Sequence, residues 1–489
     1  MPETEERREL IIPNIIAARY ASYEMKLIWD EVNKIILERQ LWIVVMKAQQ
    51  ELGLTDITDQ VIADYEAVVD QVDLASIKER EKITRHDVKA RIEEFNDLAG
   101  HEHAHKGMTS RDLTENIEQL QVRNSLVVVR NRIITALARL TELSLDHADL
   151  VMVGRSHNVA AQPTTLGKRF ASAAEELLGA YHRIETYLSH YKLRGIKGPM
   201  GTQQDMLDLF EGDVAKVTQL EEKVAQYLNF QVMGIPLVLT SVGQVYPRSM
   251  DYDAVSALVY VAAGPSSLAT TLRLMAGHEL ATEGFKPGQV GSSAMPHKMN
   301  MRSCERINGF ADILPGYVAM LGAVSGKQWN EGDVSDSVVR RVALPDAFFT
   351  IDGLFETFLT VLDELGPYPA VIKRELNRYL PFLVTTKVLM AAVKHGIPRE
   401  QAHEAIKKHA VAVALDMREK GFERNDLLER LQYDDLLGPI PIDELAEIFT
   451  DQSSLVGLAN VQVQQMAATV QELTMQFPDA AAYRPGDIL

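Results

Sequence analysis

The helical period runs along almost the whole chain. Between Ser22 and Gly53 the apolar residues Met25, Ile28, Trp29, Val32, Ile35 and Ile36 recur at three- and four-residue spacing, as in a helix that buries one face. Ser22 is the expected N-cap of that helix and Gly53 its end. The same period predicts helices over 111–147, 164–191, 213–228, 253–283, 303–325, 335–364, 384–395, 399–420 and 453–475, with ends good to about two to four residues. Strand-like pattern is confined to Leu193–Gly198 and Pro236–Thr240, both bounded by turn formers. With no repeat, low-complexity tract or flexible linker, the chain is expected to be all-α, its long helices forming a bundle.

Two breaks divide the pattern. Gly100 to Ser110 is polar, rich in histidine and poor in helix formers, and Gly366-Pro367-Tyr368-Pro369 punctuates a helix end. They imply regions 1–110, 111–365 and 366–489, consistent with 489 residues at roughly 150 per domain. The middle region holds the longest helices. Broad apolar faces on such helices are more often buried against other helices than left in water, so self-association through this region is expected. Ala254 to Leu272 carries no charge, but Gly264-Pro265 and five Ser/Thr residues suit a helix buried in protein better than one in lipid.

Composition narrows the function. Fifty Lys+Arg stand against 68 Asp+Glu, a net charge of −18. That surface repels polyphosphate and argues against nucleic acid as partner. Cations that hold an anionic ligand must therefore be gathered locally. Cys304 is the single cysteine, so no intrachain disulfide can form and a reducing compartment is expected. The first eight residues are charged where a signal peptide needs an apolar core. A cytoplasmic protein with no membrane partner is expected.

Candidate chemistry lies in the polar breaks. His101-Glu102-His103-Ala104-His105 satisfies the zinc pattern HExxH. That pattern needs a helix to put both histidines on one face, and here Gly100 and Gly107 bracket it; a polar loop is the simpler reading. The loop Gly284 to Asn300 packs glycines, prolines, serines and cations into seventeen positions, unusual for a structureless segment in a compact domain. Its Ser292, Ser293, Lys298 and Asn300 offer hydroxyls and donors suited to a carboxylate. Arg85-His86-Asp87 opens a helix that Thr84 is expected to cap, a place that favours anions. Gly154-Arg155-Ser156-His157 precedes Ala161-Gln162-Pro163-Thr164, the expected start of the next long helix.

These segments carry a family resemblance. Gly291-Ser292-Ser293-Ala294-Met295-Pro296-His297-Lys298-Met299-Asn300 resembles the GSSxMPxKxN signature of the fumarase/aspartase superfamily. His105-Lys106-Gly107-Met108-Thr109-Ser110-Arg111-Asp112, with Asn116, resembles its HxGxTSxD…N segment. Gly154-Arg155-Ser156-His157 with Gln162-Pro163-Thr164 resembles its GRTHxxxAxPT segment. Ala18-Arg19-Tyr20-Ala21-Ser22, Arg85-His86-Asp87-Val88, Gly243-Gln244-Val245-Tyr246 and Ser337 with Arg340-Arg341 are similar to elements of its purine-nucleotide branch.

The resemblance implies a three-domain all-α fold with a long central bundle and a signature loop over 284–303. It further implies assembly into a homotetramer with a twenty-helix core, whose active sites are shared between subunits. The implied reaction is a β-elimination that releases fumarate from adenylosuccinate and from the succinyl-carboxamide ribotide of purine synthesis, with no cofactor and no metal. Ser292 is implied as the base, with Ser293 beside it, and His157 as the acid. His86 positions substrate, and Lys298 and Asn300, with Thr109 and Ser110, meet the carboxylate on which charge builds. Arg19, Tyr20, Arg306, Ser337 and Arg341 are implied as phosphate and ligand contacts, and Gln244 as a contact near the succinyl group. Arg85, Asp87 and His105 are the remaining implied substrate-binding residues.

The pattern departs from the family at Gly332, where an arginine is usual, leaving Arg340 or Arg302 to replace it. Met301 stands for a proline, Cys304 for a serine and Ser156 for a threonine. Rival expectations are a lyase of the argininosuccinate type, a noncatalytic scaffold and a zinc hydrolase.

Overall fold

The computed structural model describes residues 12–284, 294–450 and 453–486. Its N-terminal part holds α1 (Ile15–Tyr20), α2 (Tyr23–Trp29), α3 (Glu31–Glu51), α4 (Asp59–Ala67), α5 (Leu74–Thr84) and α6 (Asp87–Ala99). The single helix expected over 22–53 is thus two. Ser22 caps the first as expected, its hydroxyl accepting from the Met25 N–H. Asp30 then adopts an extended conformation and starts the second by accepting the Asn33 N–H at 3.0 Å. Asn33 in turn donates to the Leu27 carbonyl at 2.8 Å. Side chains that bond the local backbone compete with helix continuation, and an apolar period does not register them.

Five long helices form the centre: α7 (Ser110–Asp146), α8 (Leu166–His190), then, beyond the short α9 (Gln204–Leu209) and α10 (Val214–Tyr227), α11 (Ser249–Gly277), α12 (Arg302–Val324) and α13 (Ser337–Glu364). They pack in a ring, each against the next, with α13 closing onto α7. At 37 residues and about 1.5 Å per residue, α7 is some 55 Å long. The uncharged stretch of α11 buries one face in this bundle, while Tyr260, Ala263, Ser267 and Thr270 on the other are exposed.

The C-terminal part comprises α14 (Pro369–Leu383), α15 (Thr385–Lys394), α16 (Arg399–Glu419), α17 (Leu427–Gln432), α18 (Ile442–Thr450), α19 (Ala459–Gln476) and α20 (Pro478–Ala481). Helices α15 to α18 share a small separate core around Val388, Ala402, Leu427 and Leu431. Helix α19 returns to pack on α7 and α8.

Strand is scarce but informative. β1 (Val151–Ser156) pairs with β2 (Val159–Thr165) where the sequence suggested only a loop running into α8. Of the two expected extended pieces, Leu193 bridges Val238, the Leu193 N–H donating to Leu237 O at 2.9 Å and the Leu239 N–H to Leu193 O at 2.8 Å. Short pairs β3 (Gln231–Val232) with β4 (Ile235–Pro236), and β5 (Ala281–Thr282) with β6 (Gly366–Pro367), complete the set.

The first three turns of α7 carry Asp112, Glu115 and Glu118 at i, i+3 and i+6, a pattern that would suit a solvated face but here points inward. Asp112, fully buried, accepts from Arg194 Nη1 at 2.5 Å, from the backbone N–H groups of Thr109 and Lys197 at 2.8 Å and from that of Gly198 at 3.0 Å. Glu115 takes Arg248 as a fork, at 2.8 and 3.0 Å. Arg340 on α13 pairs with Glu118 at 2.8 Å and with Asp251 of α11 at 2.6 Å. Burial alone would raise the Glu118 pKa, but Arg340 and Lys34 hold it down at about 2.

Removing one partner of such a buried pair strands the other charge. Arg340→Met should therefore lower stability by about 3–5 kcal/mol, read as a fall in the urea midpoint. Lys82→Met, which breaks an exposed i,i+3 pair with Glu79, should leave the midpoint almost unchanged, within about 0.5 kcal/mol.

Candidate active site

The hairpin β1–β2 presents His157. Ser156 faces Val159 across a two-residue loop, His157 and Asn158, with φ of 52° and 59°. Two successive left-handed residues match the twist of the flanking strands, and Asn tolerates that conformation well. The imidazole of His157 is exposed at the tip. Below it, Gly154 sits at a register shift where a Cβ would meet the Gln162 carbonyl oxygen at 2.4 Å. Arg155 pairs with Glu375 of α14 and donates to Asn158 O at 3.1 Å, bracing the loop from beneath. Thr165, rather than the expected Ala161–Thr164 stretch, begins α8, its hydroxyl accepting from the Lys168 N–H at 3.0 Å.

The Arg85–Asp87 segment joins α5 to α6. Thr84 ends α5 instead of capping α6; the cap is His86 itself, whose Nδ1 accepts from the Lys89 N–H at 3.3 Å. Arg85 takes a left-handed conformation, φ 51°, and is exposed, and Asp87 pairs with Arg91 at 3.2 Å.

The His101–His105 segment is not helical, so its histidines do not share a helix face as the zinc pattern requires. His101 bonds Asp64 at 2.8 Å, His103 meets Lys106 at 2.8 Å, and His105 Nδ1 accepts from the Trp42 indole N–H at 3.0 Å. Burial pushes the His105 pKa down to about 4. With Nδ1 committed as acceptor, the neutral ring carries its proton on Nε2 and presents a donor. Thr109 and Ser110 follow directly, Thr109 capping α7 through its N–H to Asp112.

Tyr20, Arg19 and Arg306 cluster. The Arg19 guanidinium lies 5.7 Å and that of Arg306 5.0 Å from the Tyr20 ring centroid, and the ring is edge-on to Phe310 at 5.2 Å. Gln244 is fixed by its N–H to Glu331 O at 2.6 Å, and the neighbouring Gly243 O accepts from Arg194 at 3.1 Å. Ser337 opens α13 and Arg341 is exposed one turn on.

Arg340, offered by the sequence as a replacement for the family arginine, is buried and spent on Glu118 and Asp251, so it cannot serve a ligand. Gly332 has a physical reason for its identity. Its φ is +148°, and a Cβ there would come within 3.0 Å of Gln244 Cβ.

Ser292 and Ser293 lie outside the described residues. Before that stretch, buried Glu283 caps α12 through the Ser303 and Cys304 N–H groups at 2.9 and 3.0 Å. After it, Lys298 is exposed and Asn300 half-buried. His157, His86 and Lys298 share no hydrogen bond or ion pair with one another among the described residues. A cleft of about 530 Å³ between the hairpin, α8 and α11, lined in part by Arg155, Lys168, Arg169 and His278, was not foreseen. None of the expected site residues lines it.

The long-helix bundle and the short hairpin carrying a histidine are the architecture expected of a lyase of the fumarase/aspartase class. Comparison with known proteins agrees. The family profile described as lyase matches residues 17–316, and that described as adenylosuccinate lyase C-terminus matches 381–466. Adenylosuccinate lyase of Saccharomyces cerevisiae is 35% identical over 92% of both chains. That of Schistosoma mansoni is 34% identical over 95% of both. Among solved structures, a 3-carboxy-cis,cis-muconate lactonizing enzyme from Pseudomonas putida shares the fold at TM-score 0.78 and 18% identity, over 94% of this chain and 99% of that one. A fumarate lyase from a Mesorhizobium species shares it at 0.76 and 20%, with the same coverage. The chain belongs to the adenylosuccinate lyase family, carbon–nitrogen lyases of purine biosynthesis.

Two predictions follow from this geometry. The unfolded chain takes up a proton at its histidines near pH 6.5, whereas His105 refuses one until about pH 4, so its contribution to stability is lost as pH falls through that window. Denaturation midpoints at pH 7.5, 6.0 and 5.0 should fall less steeply in His105→Gln than in the native chain. Gly332→Ala forces a Cβ against Gln244 at an unfavourable φ and should cost about 1–3 kcal/mol, measured by thermal unfolding.

Proposed function

We propose that the chain removes fumarate from adenylosuccinate, leaving AMP, and from the succinyl-carboxamide ribotide, leaving the carboxamide ribotide, with the signature residues in the following roles. Ser292 takes the proton from the carbon beside a carboxylate, with Ser293 as its neighbour. Charge builds on that carboxylate, where Lys298, Asn300 and the hydroxyls of Thr109 and Ser110 are suited to meet it. The C–N bond then breaks, the electron pair leaves with nitrogen, and His157 returns a proton to it. His86, His105 through its Nε2 donor, Arg85 and Asp87 orient the substrate, and Gln244 contacts the succinyl group. Arg19, Tyr20, Ser337 and Arg341 receive the phosphate, and Arg306 is a further ligand contact. With Arg340 committed elsewhere, Arg302, exposed at the start of α12, is the cation left to stand in for the arginine missing at Gly332.

The observation that carries the assignment is a contrast in pairing. Arg194, Arg248 and Arg340 are locked to acids, whereas Arg19, Arg85, Lys298 and Arg341 make no ion pair among the described residues. In a chain of net charge −18, cations left without acids at signature positions suit a substrate with two carboxylates and a phosphate.

The proposed working unit is a cytoplasmic homotetramer with shared sites, each chain folded as regions 1–110, 111–365 and 366–489. Among the described residues of one chain the acid, the positioning histidine and the lysine share no hydrogen bond or ion pair. Apolar side chains of the bundle remain uncovered, including Leu274 at 48%, Ile313 at 40%, Val338 at 72% and Val342 at 44% exposure. Only 28% of the most apolar stretch of α12 is buried. Neighbouring subunits would cover these faces and bring the segments together.

Purified protein should convert adenylosuccinate to AMP and fumarate in equal amounts, unaffected by chelator, as followed by chromatography. Ser292→Ala and His157→Ala should each abolish turnover and leave the tetramer intact. If the two residues serve one site from different subunits, mixing the variants and allowing subunit exchange should restore part of the activity. Full activity in either single variant would overturn its role, and no recovery on exchange would overturn the shared site.

A further inference from the structure

The segment 478–486 packs on α7 and is linked to the Arg19–Tyr20 element through buried side chains of α7 and α13. The link runs through α13. Asp352 and Glu356, one turn apart and 1% and 3% exposed, share one guanidinium, that of Arg132 on α7, itself 2% exposed. Arg132 Nε lies 3.7 Å from Asp352 Oδ1 and 3.2 Å from Glu356 Oε1. Asp352 Oδ2 accepts the Ser22 N–H at 2.6 Å, and Arg132 Nη2 donates to the Ser22 hydroxyl at 3.4 Å. Ser22 is two residues from Tyr20, and Gly353 lies so close beneath Tyr20 that a Cβ there would come within 2.9 Å of Tyr20 Cβ. The backbone that carries Arg19 and Tyr20 is therefore held down on α13 by Asp352.

The exposed Glu24 also accepts from Arg132 Nη2 at 3.2 Å, so three carboxylates share one guanidinium, and the two buried ones leave an excess negative charge in a dry site, which is costly unless further donors meet it. The segment 478–486 supplies them. Tyr483 donates its hydroxyl to Glu356 Oε1 at 2.7 Å, and the Gly486 N–H donates to Glu356 Oε2 at 2.8 Å. The Tyr483 ring lies against the Arg132 guanidinium, 3.5 Å from centroid to carbon, so the cation is clamped from a second side. The segment is itself tied down, Ala480 O accepting from Thr135 at 2.7 Å and Tyr483 O from Arg139 at 3.3 Å. Without the phenol, Glu356 must draw more on Arg132, at the expense of Asp352 and Ser22.

From this geometry we infer that Tyr483 is a positioning residue for substrate binding: by satisfying Glu356 it leaves Arg132 and Asp352 free to hold Ser22, and so sets the Arg19–Tyr20 element that receives the phosphate. The inference rests on that reading of Arg19 and Tyr20.

The test compares Tyr483→Phe, which keeps the ring and loses only the hydroxyl, with Arg19→Ala in the full-length tetramer. Tyr483→Phe should raise KM for adenylosuccinate, and the inhibition constant of inorganic phosphate with it, by about three- to tenfold, with kcat within about twofold. Tyr483→Ala should raise both further. A purely structural role would lower the unfolding temperature and leave KM and the phosphate constant where they were. That result, with Arg19→Ala still raising KM, overturns the inference about Tyr483 alone. An Arg19→Ala enzyme of unchanged KM overturns the phosphate reading and the inference with it.

Discussion

A single buried carboxylate organises one part of the proposed site, the first turn of α7 and the segments that lead to Gln244. Asp112 collects a guanidinium and three backbone N–H groups, enough to offset the cost of keeping a charge in the interior. Each donor places something. The Thr109 N–H sets the first turn of α7, where Thr109 and Ser110 stand. The Lys197 and Gly198 N–H groups draw in the extended segment after Leu193, which Asn116 fixes a second time through Gly195. Arg194 passes the constraint on to Gly243, and so to Gln244. Glu115 and Glu118 repeat the arrangement one and two steps along the helix with Arg248 and Arg340. The family segment that contains Asp112 and Asn116 therefore combines the groups proposed to face substrate with the residues that hold them in place.

The long helices were legible because apolar residues recur at three- and four-residue spacing over many turns. Helices predicted over 111–147, 213–228 and 399–420 appear as Ser110–Asp146, Val214–Tyr227 and Arg399–Glu419. Failures occurred where a polar side chain or a turn overrode that period. Asp30 broke one predicted helix into two by capping the second. The hairpin was hidden because its strands are short and partly polar, and its motif residues drew the attention; Val151-Met152-Val153 and Val159 flanking Ser156-His157-Asn158 were the available signal. Charge was the least legible property. Arg340 and Arg341 are adjacent, yet one is locked in a buried network and the other faces solvent. Nothing in the identity of an arginine tells which, because pairing is decided by partners more than eighty residues away, Asp251 among them.

The placement of cations in this acidic chain follows from the same division. The buried arginines Arg132, Arg194, Arg248 and Arg340 are each matched to one or more carboxylates, and so add little to the field outside. The surface charge of the folded chain is then mostly negative, and Arg19, Arg85, Lys298 and Arg341, which make no ion pair among the described residues, stand out against it. Such an arrangement favours a small anion that several cations can surround and disfavours an extended polyanion, which would have to approach the rest of the surface as well.

The turn that carries His157 has a consequence for how this protein can vary. Side chains alternate faces along a strand, so position on a hairpin is counted in single residues. With only His157 and Asn158 between the paired Ser156 and Val159, an insertion or deletion of one residue would turn the imidazole to the opposite face or bury it in the turn. A loop that ends in open space can drift in length over evolutionary time; this one cannot. The acid role proposed for His157 is tied to a residue count, and descendants of this sequence would be free to change the strands before they could change the length of the turn.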